Sequence, residues 1–526
     1  MGQRRRMGFS QWLGGVLALL LTASAAFADV ESEMRRLIHA ANLGKTRVAV
    51  MATDLTTGQP LARIGADQPM RPASNMKLIT TAAALDILGS DFVFRTELAL
   101  VEPAEPGQHP DLLVRGGGDP AFGDPRLLEE FGEGIEDLED LLDQWADAVS
   151  STGRTRFARL VVDDRVFDRQ LVHDAWPKDQ LINWWCAPVA GINIHQNRFN
   201  VLPIPTDPGQ PPQVELFPHA SYLAPGEARR VNWPATGNRA VTGNRDAFWV
   251  SREPGSPGLV YHGTVKNQAY APLEIAMYDP PMLFAHMLAA RLGERGIEVG
   301  EVVRVERDEM FDDARLLHVV RTSLPLVMLR TNRDSQNMFA EALLKRMGRV
   351  YTGMAGSWSN GPSAIRQFLR SRLGPASAAV RISDGSGMSR DNRVTARLMV
   401  ELLESIHHDP ALEKARLFRD SLAYVGKTAD GERVDAGTLE RGHRLRRLQP
   451  GSWVFAKTGY IRGVSALSGY LQVPGESGQP PRTIAFSVLF NDFKPPIYNS
   501  HMKKLTDSLV YVLEKAARPA KSETRG

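Results

Sequence analysis

The chain has 526 residues, of which 43% are hydrophobic and 23% are charged. These fractions are close to those of an average globular protein, which excludes a chain that is disordered or fibrous along its whole length. At about 150 residues per domain, the length predicts three or four domains. Lysine and arginine total 63 against 60 aspartate and glutamate, so the formal net charge is only +3. This balance argues against a general nucleic-acid-binding protein, which needs net or clustered basic charge.

Several types of site are excluded by the residues that the sequence lacks. Cys186 is the only cysteine, which excludes an intramolecular disulfide and a C-x-x-C metal site. The 12 histidines form no H-E-x-x-H motif, which argues against that type of zinc site. The sequence also has no G-x-S-x-G motif, which argues against an α/β-hydrolase.

The N-terminus has the order of segments that is typical of a secretory signal peptide. The basic stretch Arg4–Arg6 precedes the apolar run Trp12–Leu21, and Ala26–Ala28 then gives an A-x-A cleavage site. The run is shorter than the roughly 20 apolar residues that span a membrane. We therefore expect a signal peptide at residues 1–28 and no membrane span after its cleavage. Its three arginines account for the whole net charge, so the mature chain is formally neutral.

Hydrophobic periodicity and turn residues predict the elements of the mature chain. The first half is expected to contain a helix through Met34, Leu37, Ile38 and Ala41, a strand at Arg47–Leu55, a helix over 72–88, a strand at Thr96–Val101, an acidic helix near 126–149, a strand at Leu160–Val162 and a Pro-rich loop or linker at Pro203–Pro212. The second half is expected to contain helices at Met282–Arg295, 323–331, 335–348, 362–373 and 394–406, a strand at Trp453–Lys457, a hairpin of Val464–Val473 with Thr483–Phe490, and a last helix at Ser500–Ala516.

The first motif that carries chemistry is the S-x-x-K tetrapeptide from Ser74 to Lys77, at the start of the predicted helix 72–88. Positions i and i+3 lie on the same face of a helix, so the Lys77 ammonium can reach the Ser74 hydroxyl. A serine is a weak nucleophile until a nearby base takes its proton, and a lysine with a lowered pKa can serve as that base. The helix N-terminus also places the Ser74 amide where an oxyanion would develop. Alone this motif is a weak indicator, because an ordinary helix can begin with a serine.

The second motif is S-x-N, formed by Ser335 and Asn337 at the start of the predicted helix 335–348. A hydroxyl and a carboxamide at this spacing can both point into one cleft. The hydroxyl can relay a proton to a leaving amine, while the amide holds a peptide carbonyl. Serine and asparagine are also preferred helix caps, so the motif alone indicates little.

The third motif is Lys457-Thr458-Gly459, where the predicted strand at Trp453–Lys457 leads into the terminal hairpin. The lysine offers positive charge, the threonine offers a hydroxyl donor for a carboxylate, and the glycine leaves the backbone bare. A substrate could therefore lie against this edge of the sheet.

The order of the three motifs is more specific than any one of them. S-x-x-K, S-x-N and K-T-G occur in this order in the penicillin-recognising serine enzymes, and the chain resembles that superfamily. Each motif also has the context that the superfamily needs: a helix start, a loop-to-helix junction and a strand. Chance occurrence of all three in these contexts is far rarer than chance occurrence of one.

The stretch between Lys77 and Ser335 is much longer than in the compact β-lactamases. This length indicates which family within the superfamily the chain resembles. The chain resembles the D-alanyl-D-alanine carboxypeptidase/endopeptidase family typified by penicillin-binding protein 4 (peptidase family S13), which carries extra domains inserted between the first two motifs. The similarity covers residues 30–515, and its further matching segments are Gly118-Asp119-Pro120, Asp163–Phe167, Cys186-Ala187-Pro188, and Asp384–Arg390 followed by Asn392.

This resemblance implies an α/β fold: a β-lactamase/transpeptidase-like domain, with an antiparallel sheet flanked by helices, interrupted by a large insertion of one or two smaller, β-rich domains. We expect the catalytic domain at residues 29–96 and 315–526 and the insertion at residues 97–314. The resemblance also implies hydrolysis of D-Ala-D-Ala termini or D,D-crosslinks of peptidoglycan in the periplasm. Stem peptides would be the substrates, β-lactam antibiotics would acylate the enzyme, and no metal or other cofactor would be needed.

The resemblance further implies roles for the motif residues. Ser74 would form the acyl-enzyme, Lys77 would be the general base of acylation, and Ser335 would pass a proton to the departing D-alanine. Asn337 would orient the acyl side of the substrate, and Lys457 would supply positive potential.

The remaining implied residues bind the substrate. Thr458 would bind the terminal carboxylate, Gly459 would keep the strand edge bare, and the amides of Ser74 and Tyr460 would form the oxyanion hole. Tyr460 departs from the family pattern, in which Ser or Thr commonly follows K-T-G, so one hydroxyl for carboxylate binding is lost. Asp179 matches a family position that can contact the amino end of the stem-peptide side chain, and a plain surface carboxylate is the alternative.

Two other functions are compatible with the motifs. A β-lactamase would have to deacylate the penicilloyl ester quickly, and the large insertion argues against it. A non-catalytic cell-wall-binding protein would not need the motif residues, all of which are intact here.

Overall fold

The computed structural model of the protein describes residues 29–131, 134–219, 237–253, 255–306, 308–440, 443–475 and 479–518. The predicted signal peptide at residues 1–28 lies outside the described residues. The described chain divides into two compact units. Unit 1 contains the residues up to Ala83, Leu329–Ser335 and the residues from Arg366 onward, and unit 2 contains Ala84–Met328 and Gln336–Ile365.

The helices of the described chain follow one another in this order: α1 (29–40), α2 (Met76–Ile87), α3 (Leu138–Ser150), α4 (Pro280–Glu294), α5 (Leu324–Arg333), α6 (Asn337–Thr352), α7 (Gly361–Leu373), α8 (Ala396–His407), α9 (Leu412–Asp420) and α10 (Asn499–Ala517). The strands are β1 (Arg47–Asp54), β2 (Gln59–Ile64), β3 (Val93–Val101), β4 (Asp111–Gly116), β5 (Arg156–Asp163), β6 (Arg198–Ile204), β7 (Gln213–Phe217), β8 (Gly237–Asn238), β9 (Val241–Thr242), β10 (Trp249–Ser251), β11 (Val260–His262), β12 (Thr264–Val265), β13 (Leu273–Ala276), β14 (Glu298–Arg304), β15 (Arg315–Ser323), β16 (Ala423–Lys427), β17 (Arg433–Ala436), β18 (Trp453–Ile461), β19 (Val464–Val473) and β20 (Arg482–Asn491).

The described strands of unit 1 form an antiparallel sheet in the order β17-β16-β18-β19-β20-β1-β2. The predicted terminal hairpin is confirmed, because β19 pairs with β20 along its whole length. Both strands are buried at nearly every position, so both faces of this part of the sheet are covered. Helices α1 and α10 share a core with the sheet that includes Met34, Phe486 and Leu509. The predicted packing of the last helix on the terminal sheet is therefore confirmed, as is the α/β class with an antiparallel sheet flanked by helices.

Unit 2 is built on a mixed sheet in the order β14-β5-β4-β3-β15. Strand β5 runs parallel to β14 and to β4, whereas β3 is antiparallel to β4 and β15. Helices α3 and α4 pack in its core, where the buried rings of Trp145 and Phe284 meet edge to face with centroids 5.1 Å apart. The smaller sheets β13-β6-β7, β10-β11-β8 and β12-β9 give this unit its β-rich character.

Several predicted boundaries are wrong, among them the following three. The acidic helix begins at Leu138 and not near residue 126, because the Asp137 side chain caps it by accepting from the amides of Glu139 and Asp140. The Pro-rich loop is shorter than Pro203–Pro212, since β6 continues to Ile204. The strand predicted to end at Lys457 continues to Ile461 as β18, because β19 pairs with it along its whole length.

Candidate active site

Ser74 lies in a short 3-10 turn, Ala73–Asn75, that leads directly into α2. The predicted helix start is thus confirmed, but the turn has an unusual backbone. The buried residue Ala73 has a φ of 47°, a left-handed conformation that costs a non-glycine residue about 1–2 kcal/mol. Gly387 packs so closely on this turn that a Cβ atom at Gly387 would lie 1.7 Å from the Ala73 carbonyl oxygen. The half-buried Ser74 is therefore held by a turn that the surrounding structure keeps in place.

Lys77 is the candidate base for this serine. Its side chain is fully buried, and Nζ donates to Ser74 Oγ over 3.2 Å. Nζ also donates to the Ser386 carbonyl oxygen over 2.9 Å. The predicted i, i+3 contact between Ser74 and Lys77 is present, and the ammonium lies where it can exchange a proton with the hydroxyl.

The Ser386 carbonyl is positioned by a loop that Asp384 organises. The buried Asp384 carboxylate accepts from the amides of Gly387 (2.9 Å) and Ser389 (2.5 Å) and from Asn392 Nδ2 (2.7 Å). These bonds fix the loop that presents Ser386 to Lys77. In the sequence, the segment Asp384–Arg390 was noted only because it matches the family. In the structure it forms the loop whose Ser386 carbonyl oxygen accepts a hydrogen bond from Lys77.

Lys457 is the second buried lysine of the site. Its Nζ donates to Ser335 Oγ over 2.9 Å and to the Thr458 carbonyl oxygen over 3.1 Å. Burial lowers the pKa of Lys457 well below its ordinary value, the charge of Lys77 lowers it further, and Asp334 opposes both effects. A lysine in this position loses its proton more easily than a lysine in water, and it senses the charge of Lys77.

Ser335 does not begin a helix, contrary to the prediction of a helix over 335–348. Helix α6 begins at Asn337, and Ser335 has a φ of 65° in the left-handed region. The preceding helix α5 is tied down by Asn332, whose Nδ2 donates to Thr81 Oγ1 (3.0 Å) and Ser421 Oγ (2.9 Å). The sharp bend between α5 and α6 places the Ser335 hydroxyl at the Lys457 ammonium.

The K-T-G segment lies on a partly open strand edge. On one side β18 pairs with β19 throughout, but on the other side β16 pairs only with Trp453–Ala456. No other described strand pairs with Lys457–Ile461 on that side, so backbone groups there are available to an extended ligand. At Gly459 an added Cβ would lie 2.9 Å from the Pro72 carbonyl oxygen, so a glycine is needed for the strand to pass the Ser74 turn.

Asn75 joins the Ser74 turn to two strands. In the orientation that satisfies both ends of its amide, Nδ2 donates to the Lys457 carbonyl oxygen (2.8 Å), and Oδ1 accepts from Ser468 Oγ (2.6 Å). The residue is fully buried, where an unsatisfied amide would be costly. Asn75 thus couples the S-x-x-K and K-T-G motifs.

Thr458 and Tyr460 occupy the same strand as Lys457. Thr458 Oγ1 donates to Thr438 Oγ1 over 2.8 Å, and Thr438 lies in the 3-10 turn Gly437–Leu439. The Tyr460 side chain is 55% exposed and lies opposite Ser465 in the β18–β19 pair. The structure therefore brings Ser74, Lys77, Ser335, Lys457, Thr458 and Gly459 into one hydrogen-bonded and packed network within unit 1.

The other two predicted site residues belong to unit 2. Asn337 is the first residue of α6, and its Nδ2 donates to the Trp185 carbonyl oxygen over 2.8 Å. Asp179 is exposed in the 3-10 turn Lys178–Gln180 and lines a cavity of about 850 Å³. Both residues remain predictions as substrate contacts.

Sequence analysis assigned no role to Asn75, Asp384, Ser386 or Thr438. Asn75 stands inside the S-x-x-K motif, so its position was visible, but its two partners are remote in sequence. The run Asp384–Arg390 was noted only as a segment that matches the family. Thr438 carried no signal, because its role depends entirely on its contact with Thr458.

Two further properties bear on the chemistry of the site. Among the described residues, no three or more His, Cys, Asp and Glu side chains are grouped so that they could hold a metal ion. Within the same part of the chain, no helix combines the length and the apolar composition needed to cross a membrane.

The comparison with known sequences identifies the family. The sequence profile of the D-Ala-D-Ala carboxypeptidase 3 (S13) family matches residues 30–515. The D-alanyl-D-alanine carboxypeptidase of Actinomadura sp. (strain R39) is 31% identical over 496 residues, which cover 92% of this chain and 85% of that protein. The chain therefore belongs to the D-Ala-D-Ala carboxypeptidase 3 (S13) family, and the predicted family is confirmed.

Solved structures agree with this assignment at the level of the fold. Penicillin binding protein 4 (DacB) from Haemophilus influenzae is similar with a TM-score of 0.71 and 21% identity, over 91% of this chain and 99% of that chain. The same protein complexed with a novel β-lactam is similar with a TM-score of 0.67 and 20% identity, over the same shares of the two chains. The predicted transpeptidase-like fold is confirmed.

Proposed function

We propose that Ser74, Lys77, Ser335 and Lys457 form the catalytic centre of this chain. As a member of the S13 family, the chain is a serine D,D-peptidase of peptidoglycan that β-lactams acylate. The observation that carries the assignment of the centre is the 3.2 Å hydrogen bond from Lys77 Nζ to Ser74 Oγ. A serine becomes an effective nucleophile when a base within hydrogen-bond reach takes its proton.

In acylation, Ser74 Oγ attacks the carbonyl carbon of the penultimate D-alanine, and its proton passes to a neutral Lys77 Nζ. The amides of Ser74 and Tyr460 stabilise the oxyanion of the tetrahedral intermediate. The C–N bond then breaks, and the departing amine takes a proton through the Ser335 hydroxyl. The products are free D-alanine and an ester on Ser74. Water hydrolyses the ester in the second half of the reaction, and Ser74 recovers its proton.

Lys457 has two roles in this proposal. It holds the Ser335 hydroxyl through the 2.9 Å hydrogen bond, which orients the proton relay. It also supplies positive charge from a fully buried position, where charges interact strongly. Because the charges of Lys77 and Lys457 repel each other, one proton shared between the two lysines is favoured over two. When Lys77 is neutral and acts as the base, this repulsion is absent, so Lys457 keeps its positive charge more easily.

The open edge of β18 is the proposed binding site for the substrate backbone. Thr458 turns its single hydroxyl proton from Thr438 to the terminal carboxylate, and the bare backbone at Gly459 lets the peptide lie close to the strand. Asn337 orients the acyl side of the substrate, and Asp179 contacts the amino end of the stem-peptide side chain. These contacts extend the family's chemistry to matching positions of this chain.

The cellular setting is also a proposal. The N-terminal segment 1–28 has the composition of a signal peptide, which supports export to the periplasm, where peptidoglycan is accessible. The proposed catalytic domain at 29–96 and 315–526, with an insertion at 97–314, follows from the distance between the first two motifs.

Covalent labelling with a fluorescent penicillin tests the catalytic assignment. We expect wild-type protein to be labelled, and we expect Ser74→Ala and Lys77→Ala to show little or no label. Ser508→Ala is the matched control, because Ser508 lies on α10 and its hydroxyl bonds only to the Lys504 carbonyl within the described chain. An unlabelled wild type would support a non-catalytic cell-wall-binding protein, and equal labelling of Ser74→Ala would place the nucleophile elsewhere.

The same experiment separates a peptidase from a β-lactamase. A D,D-peptidase keeps the penicilloyl ester for a long time, whereas a β-lactamase releases it quickly and turns over penicillin. We expect a persistent label and release of D-alanine from a D-Ala-D-Ala peptide. Rapid loss of the label with steady penicillin hydrolysis would favour the β-lactamase.

A further inference from the structure

Unit 2 contains a basic cavity of about 550 Å³ for which the catalytic proposal has no use. None of its lining residues belongs to unit 1, which carries Ser74, Lys77, Ser335 and Lys457. The charged residues that line it are the arginines Arg95, Arg115, Arg165, Arg346 and Arg349 and the acids Glu97 and Asp163. Arginine is the residue best suited to bind carboxylates and phosphates, because its guanidinium can donate two parallel hydrogen bonds.

The two carboxylates of the cavity are already engaged. Glu97 lies 2.8 Å from Arg95 and 3.7 Å from Arg115. Asp163 lies 2.9 Å from Arg165 and 3.9 Å from Arg115. Three arginines therefore share two carboxylates, and neither acid is available to neutralise the remaining two arginines.

Arg346 and Arg349 are those two arginines, and they lie one turn apart on α6. The Nε atom of Arg346 is buried and has no hydrogen-bond partner among the described residues. Its guanidinium lies over the Phe92 ring at 5.2 Å, while Arg349 donates to the Gly353 carbonyl oxygen over 2.6 Å. No described carboxylate forms an ion pair with either arginine. The cavity therefore presents uncompensated positive charge to a ligand.

The remaining lining favours a peptide over a bare ion. Gly116 and Gly117 line the cavity, where Arg346 donates to the Gly117 carbonyl oxygen over 3.5 Å, and the apolar side chains of Val93 and Met310 are 39% and 70% exposed. A ligand that covers both surfaces must combine anionic groups with apolar atoms. A peptide with several carboxylates and small apolar side chains has this composition, whereas an inorganic phosphate does not.

We propose that this cavity is an accessory binding site for a carboxylate-bearing peptidoglycan stem peptide. Within unit 2, helix α6 begins at Asn337, which we propose orients the substrate, and Arg346 follows roughly 14 Å along the helix axis. About four residues of extended peptide cover this distance. The site would hold a second portion of the polymer while the catalytic centre acts on the first. The identity of the peptide rests on the proposed function, whereas the anionic chemistry of the ligand does not.

Isothermal titration calorimetry tests this site without any catalytic step. The ligand is a soluble peptidoglycan fragment whose stem peptides lack the terminal D-Ala-D-Ala, so no scissile bond is present. We expect binding that weakens as salt is added. Arg349→Glu should weaken it by about tenfold or more, because it replaces an exposed positive charge by a negative one. Arg349→Lys should keep most of the affinity, since the charge is retained.

The controls separate the outcomes. Arg446→Glu makes the same charge change at an exposed position of unit 1 and should leave the affinity unchanged. Equal binding by wild type and Arg349→Glu, or no binding by wild type, overturns the proposal. Tighter binding of inorganic tripolyphosphate, with displacement of the fragment, would make the site a phosphate site and overturn the peptide assignment. Failure of the catalytic proposal would appear separately, as loss of penicillin labelling at Ser74.

Discussion

Lys457 Nζ lies 2.9 Å from Ser335 Oγ and donates a hydrogen bond to it. The first residue of the K-T-G motif thus holds the hydroxyl of the S-x-N motif, across more than a hundred positions of sequence. Ser335 has a φ of 65° at this point, so the hydroxyl is presented by a backbone conformation that glycine adopts more easily. The proposed proton relay therefore requires a hydroxyl side chain at position 335, whereas a glycine would be more stable at this φ.

A pair of variants separates these demands. Ser335→Gly and Ser335→Ala both remove the hydroxyl, so we expect acylation by penicillin to slow by about 10²–10⁴-fold in each, the usual contribution of a proton relay. Their stabilities should differ, because alanine keeps the strained φ and glycine relieves it. We expect Ser335→Ala to be about 1 kcal/mol less stable than Ser335→Gly. Acylation rates and urea unfolding measure the two effects, and a wild-type acylation rate in either variant would contradict the relay.

The motifs could be predicted from sequence because each depends on residues close together in the chain. The Ser74–Lys77 contact follows from helix geometry alone, and it is present. The left-handed Ser335 and the continuation of β18 beyond Lys457 were missed, because each is imposed by elements far away in sequence. The bend at Ser335 depends on the anchoring of Asn332 to Ser421, and the extension of β18 depends on pairing with β19.

The contact between Gly387 and Ala73 is another feature that only the fold reveals, and it can be tested. We expect Gly387→Ala to destabilise the protein by about 2–5 kcal/mol. One part is the cost of a φ of 86° in a non-glycine residue. The other part is the clash of the new Cβ with the Ala73 carbonyl oxygen, 1.7 Å away. Because the clash displaces the turn that carries Ser74, acylation by penicillin should also slow.

Gly44→Ala is the matched control for this prediction. Gly44 has a φ of 56°, and nothing lies within 4 Å of the position of its Cβ. This variant should therefore show the backbone cost alone, about 1–2 kcal/mol, with unchanged acylation. Denaturant unfolding and labelling rates report both quantities. If both variants lose the same stability and Gly387→Ala is acylated normally, the close contact does not position the nucleophile.

Thr438 is expected to act as a positioning residue through Thr458. Thr438→Val removes the hydroxyl that is hydrogen-bonded to Thr458 Oγ1 over 2.8 Å. When Thr458 turns its single proton to the substrate carboxylate, the Thr438 hydroxyl can donate to Thr458 Oγ1 instead and hold it in place, and a valine cannot. Loss of one such bond corresponds to about 1 kcal/mol, and we expect KM for a D-Ala-D-Ala peptide to rise by about fivefold with little change in kcat. Thr438→Ser should restore the wild-type KM. A purely structural role would instead lower the amount of active enzyme and leave KM unchanged.

Lys457 should make the stability of the protein depend on pH in the alkaline range. Burial and the charge of Lys77 lower its pKa in the folded state, whereas the unfolded chain has the ordinary value of about 10.4. Between these two values the unfolded state binds more protons, so the free energy of unfolding rises with pH, by at most about 1.4 kcal/mol per pH unit. Below the folded pKa both states are protonated, and the full cost of burying the charge is present.

Lys457→Met removes this titration. As the pH rises toward 10.4, the free energy of unfolding of the wild type should therefore increase relative to that of Lys457→Met. Urea unfolding between pH 7 and 10 measures this difference, and the titrations of all other groups largely cancel in it. Lys504→Met is the matched control, because it makes the same substitution at an exposed position on α10. A flat difference for Lys457→Met would mean that Lys457 keeps an ordinary pKa in the folded protein, and the proposed sharing of one proton with Lys77 would then be wrong.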